Sequence, residues 1–262
     1  RLKMQTSIFR VNDAQWLFFY FIVIVCWIAI FLMIVGANQG TELENFYGSE
    51  LWATMCKPIE SYRDWPYSFL MWALMGVAMM VPTIHPTLQT YDDLVHLGEA
   101  PKLGFLYILL GFILVWLVFA ILASLAQIFL TEKSILSPDG KFLSPLASII
   151  LLLLAGLYQF SSLKKACLHR CRHPFTFFLG KWDGRPESTV LVGLKIGMYC
   201  LGCCWLLMLL AFVGGVMNIS FMAIATLVMI CEKLPKFGQY VTLPLSVLLL
   251  ISGSLVAISN FS

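Results

Sequence analysis

The densest chemical motif in this sequence is a group of three cysteines at positions 200, 203 and 204. In a helix Cys200 and Cys204 stack on one face, with Met208 one turn further on and Cys203 on the adjoining edge. Three thiols within five residues can hold one soft metal ion. The alternative is plain packing, since cysteine is a small apolar residue in helix interfaces. The spacing favours a metal or redox role.

A second group consists of methionines. Met71, Met75 and Met79 follow the same i, i+4, i+8 spacing, and Met80 adjoins them. Thioethers suit Cu(I) and cost little to bury. Adaptable core packing is the more ordinary explanation of such a row. His85 follows, beside two prolines that are expected to kink the helix, as a further candidate ligand or an interfacial histidine.

The third group alternates cysteine and histidine over residues 167–173. In a helix Cys167 and Cys171 would share one face, and so would His169 and His173. The spacing is not that of a zinc finger. A metal role and a basic juxtamembrane segment both remain open, because arginines are interleaved with these residues.

Composition identifies the elements that must carry these residues. Of 262 residues 60% are hydrophobic and 12% are charged, and the mean hydropathy is +0.87. A soluble domain averages about 25% charged residues. Long stretches without Asp, Glu, Lys or Arg cover 14–41, 65–91, 103–131, 142–163, 196–231 and 237–262. Each exceeds the roughly 18 apolar residues of a membrane span. A soluble enzyme, a nucleic-acid-binding protein and a disulfide-rich scaffold are thereby excluded.

The expected fold is an all-α, polytopic transmembrane bundle forming a single membrane domain. The stretch 196–231 is too long for one span, since 36 residues would run about 54 Å. Gly214-Gly215 and Asn218 offer a turn within it. We therefore expect about seven spans, with six to eight as the range. They lie near 15–36, 67–84, 103–130, 144–160, 190–213, 216–232 and 241–260.

Positive charge sets the expected orientation. Most lysines and arginines fall in the N-terminal segment and the loops on its side, which the positive-inside rule places in the cytoplasm. Cytosolic thiols stay reduced and available to metal, so no structural disulfide is expected. The candidate ligands would then converge near the inner membrane face: Met79, Met80, His85, Cys200, Cys203, Cys204, Cys231, Glu232 and the segment 167–173.

Four segments carry a resemblance to a known family: Met71 to Pro82, Gly156 to Cys171, Gly197 to Trp205, and Gly214 to Asn218. Together they resemble a bacterial family of predicted metal-binding integral membrane proteins, a domain of unknown function, over about residues 65–235. The resemblance implies metal binding and a bacterial cytoplasmic membrane. The positions that match are Met71, Met75, Met79, Met80, Cys167, Cys171, Cys200, Cys203, Cys204 and Glu232.

The leading hypothesis is that the protein binds a soft metal ion, with Cu(I) favoured, and relays or delivers it to a copper enzyme. The alternative is a non-catalytic accessory or assembly subunit of a larger membrane complex. Glycines that permit close helix contacts and an aromatic outer loop at 37–66 support that alternative. Catalysis is not expected, because the sequence has no Walker A and no Gly-x-Gly-x-x-Gly motif.

Overall fold

A computed structural model describes residues 14–38, 62–97, 100–101, 103–137, 140–178, 185–216, 218–234 and 238–261. The predicted outer loop 37–66, including Cys56, lies almost entirely outside these ranges. The described residues form no strand, and the only strand-like feature among them is an isolated bridge between Leu136 and Phe142. The predicted all-α bundle is therefore confirmed.

Ten α-helices follow one another along the described residues. They are α1 (Ala14–Asn38), α2 (Trp65–Met80), α3 (His85–His96), α4 (Gly104–Glu132), α5 (Pro145–Tyr158), α6 (Ser162–Arg172), α7 (Pro186–Leu209), α8 (Ala211–Gly214), α9 (Ile219–Lys233) and α10 (Gly238–Phe261). Each predicted span overlaps a described helix, although 67–84 runs past the end of α2 and 190–213 covers most of α7 and most of α8.

Five stretches of helix are long and apolar enough to cross a membrane. They are Ala14–Leu32, Tyr62–His96, Gly104–Glu132, Pro186–Gly214 and Tyr240–Asn260. A sixth arises if α5 and α6, which are bent by 61°, form one broken span. The 15 residues of α9 reach only about 22 Å, which is short of a hydrocarbon core of about 30 Å. The described helices thus give five or six spans, and six is the lower end of the expected range.

Two breaks in the apolar stretches have a local cause. A 3-10 turn, Val81–Ile84, joins α2 to α3 at Pro82, whose ring cannot continue an α-helical hydrogen-bond ladder. The predicted turn at Gly214-Gly215 is present: Gly215 has φ +90°, a conformation that favours glycine. The Asn218 side chain then caps α9 by accepting from the Phe221 N–H at 3.1 Å.

The helix α7 lies at the centre of the bundle. It packs most extensively against α4 and also carries α6 on another side, while α2 packs on α4, α1 on α2, and α10 on α5. Glycines allow the α4–α7 approach: a Cβ at Gly193 would collide with the main chain of Ile108, and one at Gly111 with that of Val190. This contact fixes where α7 presents its cysteines.

Candidate metal centre

The α7 cysteines are buried together. Cys200, Cys203 and Cys204 are each at most 2% exposed. The Sγ atoms of Cys203 and Cys204 lie 3.2 Å apart, and the Cys203 thiol donates to the Cys200 carbonyl at 3.1 Å. All three are free thiols. The spacing in the sequence therefore corresponds to a compact group of sulfur atoms inside the protein.

The neighbouring helix α6 adds two more thiols. The Ser161 side chain caps this helix by accepting a hydrogen bond from the Lys164 N–H. Cys167 and Cys171 follow on later turns of the same helix. Cys167 is buried against Gly202 of α7, where a Cβ would come within 2.8 Å of its Sγ. Cys171 neighbours Cys203. The predicted shared face of Cys167 and Cys171 is thus the face that meets the α7 thiols.

An ammonium group lies directly beside these thiols. Lys233, the last residue of α9, is only 4% exposed. Its Nζ donates to Cys200 Sγ at 2.9 Å and to Thr83 Oγ1 at 2.8 Å. The Thr83 hydroxyl in turn donates to the Met80 carbonyl at 2.7 Å. Lys233 therefore joins the thiols of α7 to the carboxyl end of α2.

The methionine row lies inside the bundle. Met71, Met75, Met79 and Met80 are all buried in the core on α2. The closest described link from this row to the thiols runs through the Met80 main chain and Thr83, whose Oγ1 lies 3.8 Å from Cys200 Sγ. This link is made by the main chain of Met80 and not by its thioether, and Met71 lies about two turns earlier on α2.

Glu232 does not point a free carboxylate at the thiols. Both of its oxygens accept from Lys164 Nζ, at 3.0 and 2.9 Å, and both side chains are about 1% exposed. The Gln159 Oε1 accepts from the same ammonium. Arg172 binds the Glu232 carbonyl at 2.9 Å. In this arrangement Glu232 ties α6 to α9, and a ligand role would require that ion pair to open.

The histidines separate into two places. His85 packs against aromatic residues of α1: its Nε2 is 3.1 Å from the Tyr20 hydroxyl, and its ring centroid is 5.0 Å from that of Trp16. His169 on α6 and His173, which directly follows α6, are exposed, with ring centroids 4.7 Å apart. The predicted proximity of these two is confirmed, although His173 lies just beyond the helix.

No group of three or more His, Cys, Asp or Glu side chains within the described ranges is placed to hold one metal ion. What these residues do offer is a pair of sulfur atoms with further thiols nearby. Soft thiolate ligands suit Cu(I).

A comparison with protein families gives an independent indication. The model of the PpoB2 family, described as a copper chaperone family, matches residues 69–256. The chain belongs to this family. No curated protein and no solved structure shows significant similarity to the chain. Membership of a copper chaperone family agrees with the metal-related family that the sequence resembles.

The match to the copper chaperone family covers every candidate ligand, from Met71 to Glu232. The match also covers Lys164 and Lys233, which the sequence places among the positive charges of the loops. The structure buries both side chains, at 0% and 4% exposure. One signal pointed to them: an ionisable residue bordering an apolar helix is expensive to bury and indicates a functional site.

Proposed function

We propose that this chain binds Cu(I) as cargo through a pair of thiols on α7 and delivers it to a copper-requiring protein. The observation that supports the proposal most is the 3.2 Å approach of Cys203 Sγ and Cys204 Sγ, buried in the part of the chain that matches the copper chaperone family. Thiolates hold Cu(I) in preference to hard cations. A buried pair also limits access of competing ligands.

Transfer needs a route from the surface to the buried pair, and α6 supplies one. His169 on α6 and His173 just beyond it form an exposed pair, and the inner face of α6 carries Cys171 and Cys167 against α7. We propose that Cu(I) moves between these groups by exchange of one ligand at a time. Each step then replaces one soft or borderline donor with another, and no free ion is formed.

The row of thioethers on α2 provides a second route. Met71, Met75, Met79 and Met80 lead through the bundle towards Thr83 and Cys200. Thioethers bind Cu(I) without charge, which suits an apolar interior. We propose that this row connects the thiols with the opposite side of a bacterial cytoplasmic membrane, and that the cargo is passed on without chemical change.

The test is the copper content and the copper transfer of the purified full-length protein in detergent, loaded anaerobically with Cu(I). We expect the wild type to retain copper against a chromophoric Cu(I) chelator, and the Cys203→Ala/Cys204→Ala variant to lose it. Cys26→Ala is the matched control, because Cys26 is also buried but lies on α1, outside the family match. It should retain copper like the wild type.

Two results would overturn the proposal. Equal, near-zero copper in all three proteins would show that the chain does not bind Cu(I). Equal, full loading in all three would place the copper elsewhere than the α7 pair. Delivery is then measured by adding a copper-free acceptor enzyme, whose regained activity should follow the copper lost from the wild type. A chain that stays bound to a membrane complex without copper would instead be an assembly subunit.

A further inference from the structure

Lys233 carries a buried positive charge beside the thiols, and binding of copper by the thiols does not by itself require such a charge. It is 4% exposed, and its described hydrogen-bond partners are a hydroxyl, on Thr83, and a thiol sulfur, on Cys200. The ionisable groups around its ammonium are the thiols of Cys200, Cys204, Cys203 and Cys171. A buried ammonium is costly unless an anion balances it. The groups positioned to supply that anion are these thiols.

The charge of a metal–thiolate pair depends on the metal. Thiols bind metal as thiolates. Two thiolates and one Cu(I) carry a net charge of minus one, whereas two thiolates and one Zn(II) are neutral. A buried site tolerates the combination whose total charge is zero. With the ammonium of Lys233 included, the Cu(I) complex reaches zero and the Zn(II) complex keeps one uncompensated positive charge.

A third thiolate would reverse this preference, because three thiolates, one Zn(II) and the ammonium sum to zero, so the number of ligands matters. Among the residues that the structure describes, no three His, Cys, Asp or Glu side chains are placed around one ion. The carboxylate nearest in sequence, that of Glu232, is occupied by Lys164. With Cys203 and Cys204 bound to the ion as thiolates and Cys200 protonated, that pair and the ammonium are the charges that decide which ion is held.

We propose that Lys233 is a specificity-determining residue: its buried ammonium balances the single negative charge of a monovalent soft ion between two α7 thiolates, and it disfavours divalent ions. This inference rests on the proposed function. It adds to that function the class of ion that the site accepts, and it assigns a role to a residue that ligates nothing.

The experiment measures affinities for Cu(I) and Zn(II) on the same preparation, each by competition with a chromophoric chelator, in detergent without oxygen. A change in the folded fraction lowers both apparent affinities by the same factor, so the ratio of the two affinities is an internal measure. We expect Lys233→Met to lower the Cu(I)-to-Zn(II) ratio on the order of 100-fold, because it removes one unit charge from beside the α7 thiols, where Nζ lies 2.9 Å from Cys200 Sγ. Lys233→Arg keeps the charge and should keep most of the preference.

Two further variants separate charge from structure. Lys233→Gln retains a hydrogen-bonding side chain without the charge, and it should lower the ratio as Lys233→Met does. Lys195→Met removes an exposed lysine from α7 itself and should leave the ratio unchanged. An unchanged ratio in Lys233→Gln and Lys233→Met, or an equal fall in Lys195→Met, would overturn the inference. A wild type that binds neither ion would instead refute the proposed function.

Discussion

Lys164 and Lys233 are both buried, but their partners differ in kind. Lys164 donates to both carboxylate oxygens of Glu232, with Gln159 as a third acceptor. Lys233 has a hydroxyl and a thiol as its described partners. The first lysine is neutralised by a fixed carboxylate. The second faces groups whose charge changes when they bind a metal.

The difference separates a structural charge from a functional one. The Lys164–Glu232 pair joins α6 to α9 and is complete without any ligand. Breaking such a pair leaves an uncompensated buried charge. Lys233 lies where a ligand can complete the balance, since Cys200 is 2.9 Å away. Stability measurements without metal should therefore respond strongly to changes at the first lysine and weakly to changes at the second.

The largest expected effect is at the Lys164–Glu232 pair. Glu232→Gln keeps the shape of the side chain but leaves the Lys164 ammonium without its anion. We expect the free energy of unfolding to fall by about 3 kcal/mol or more, the usual result of breaking a buried ion pair. Denaturant unfolding of the metal-free protein in detergent, followed by tryptophan fluorescence, measures it.

The control for this prediction removes both charges. In Lys164→Met/Glu232→Leu no unpaired charge remains, and replacing a buried pair with apolar residues is often neutral. We expect most of the lost stability to return. If the double variant were as unstable as Glu232→Gln, the pair would matter through packing and not through charge.

An intermediate effect is expected at Thr83, which accepts from Lys233. Thr83→Val removes that acceptor while the ammonium stays buried, and a hydrogen bond to a charged group contributes about 1.5–3 kcal/mol. We expect a loss of about 2 kcal/mol in metal-free unfolding. Thr83→Ser, which retains the hydroxyl, is the control and should lose less.

A double-mutant cycle sharpens the comparison at Thr83. On a Lys233→Met background there is no ammonium to satisfy, so Thr83→Val should cost clearly less than it does in the wild type. Equal costs on the two backgrounds would show that the Thr83 hydroxyl acts through the Met80 carbonyl alone, and not through Lys233.

Much of the helical framework is predictable from the sequence because charge is absent over long stretches. Uncharged segments such as 103–131 leave little alternative to a helix in lipid, and α4 spans Gly104–Glu132. The number of spans is less predictable. The stretch 216–232 looks apolar enough, but α9 is only 15 residues long. Length in three dimensions depends on where turns such as Gly215 fall.

The candidate site is predictable where it depends on one helix. The i, i+4 spacing predicts that Cys200 and Cys204, like Cys167 and Cys171, share a helix face, because helix periodicity is local. It does not predict that the closest sulfur atoms are those of the adjacent residues Cys203 and Cys204. Contacts between helices are not local: Lys164 and Glu232 lie 68 positions apart, and Thr83 and Lys233 lie 150 apart. Periodicity alone does not give the rotation of one helix against another, so both lysines resembled ordinary loop charges.

The smallest expected effect is the most decisive for the comparison. Lys233→Met removes two hydrogen bonds but also removes a buried charge, and methionine fills the same space with a flexible side chain. These terms oppose each other, so we expect metal-free unfolding to change by less than about 1 kcal/mol. The same denaturant titration in detergent measures it, and Lys233→Arg serves as the charge-retaining control.

A loss as large as that of Glu232→Gln would mean that Lys233 is a structural charge like Lys164. A small loss would mean that the protein keeps a buried cation that its fold does not need, and that the thiols beside it are the reason.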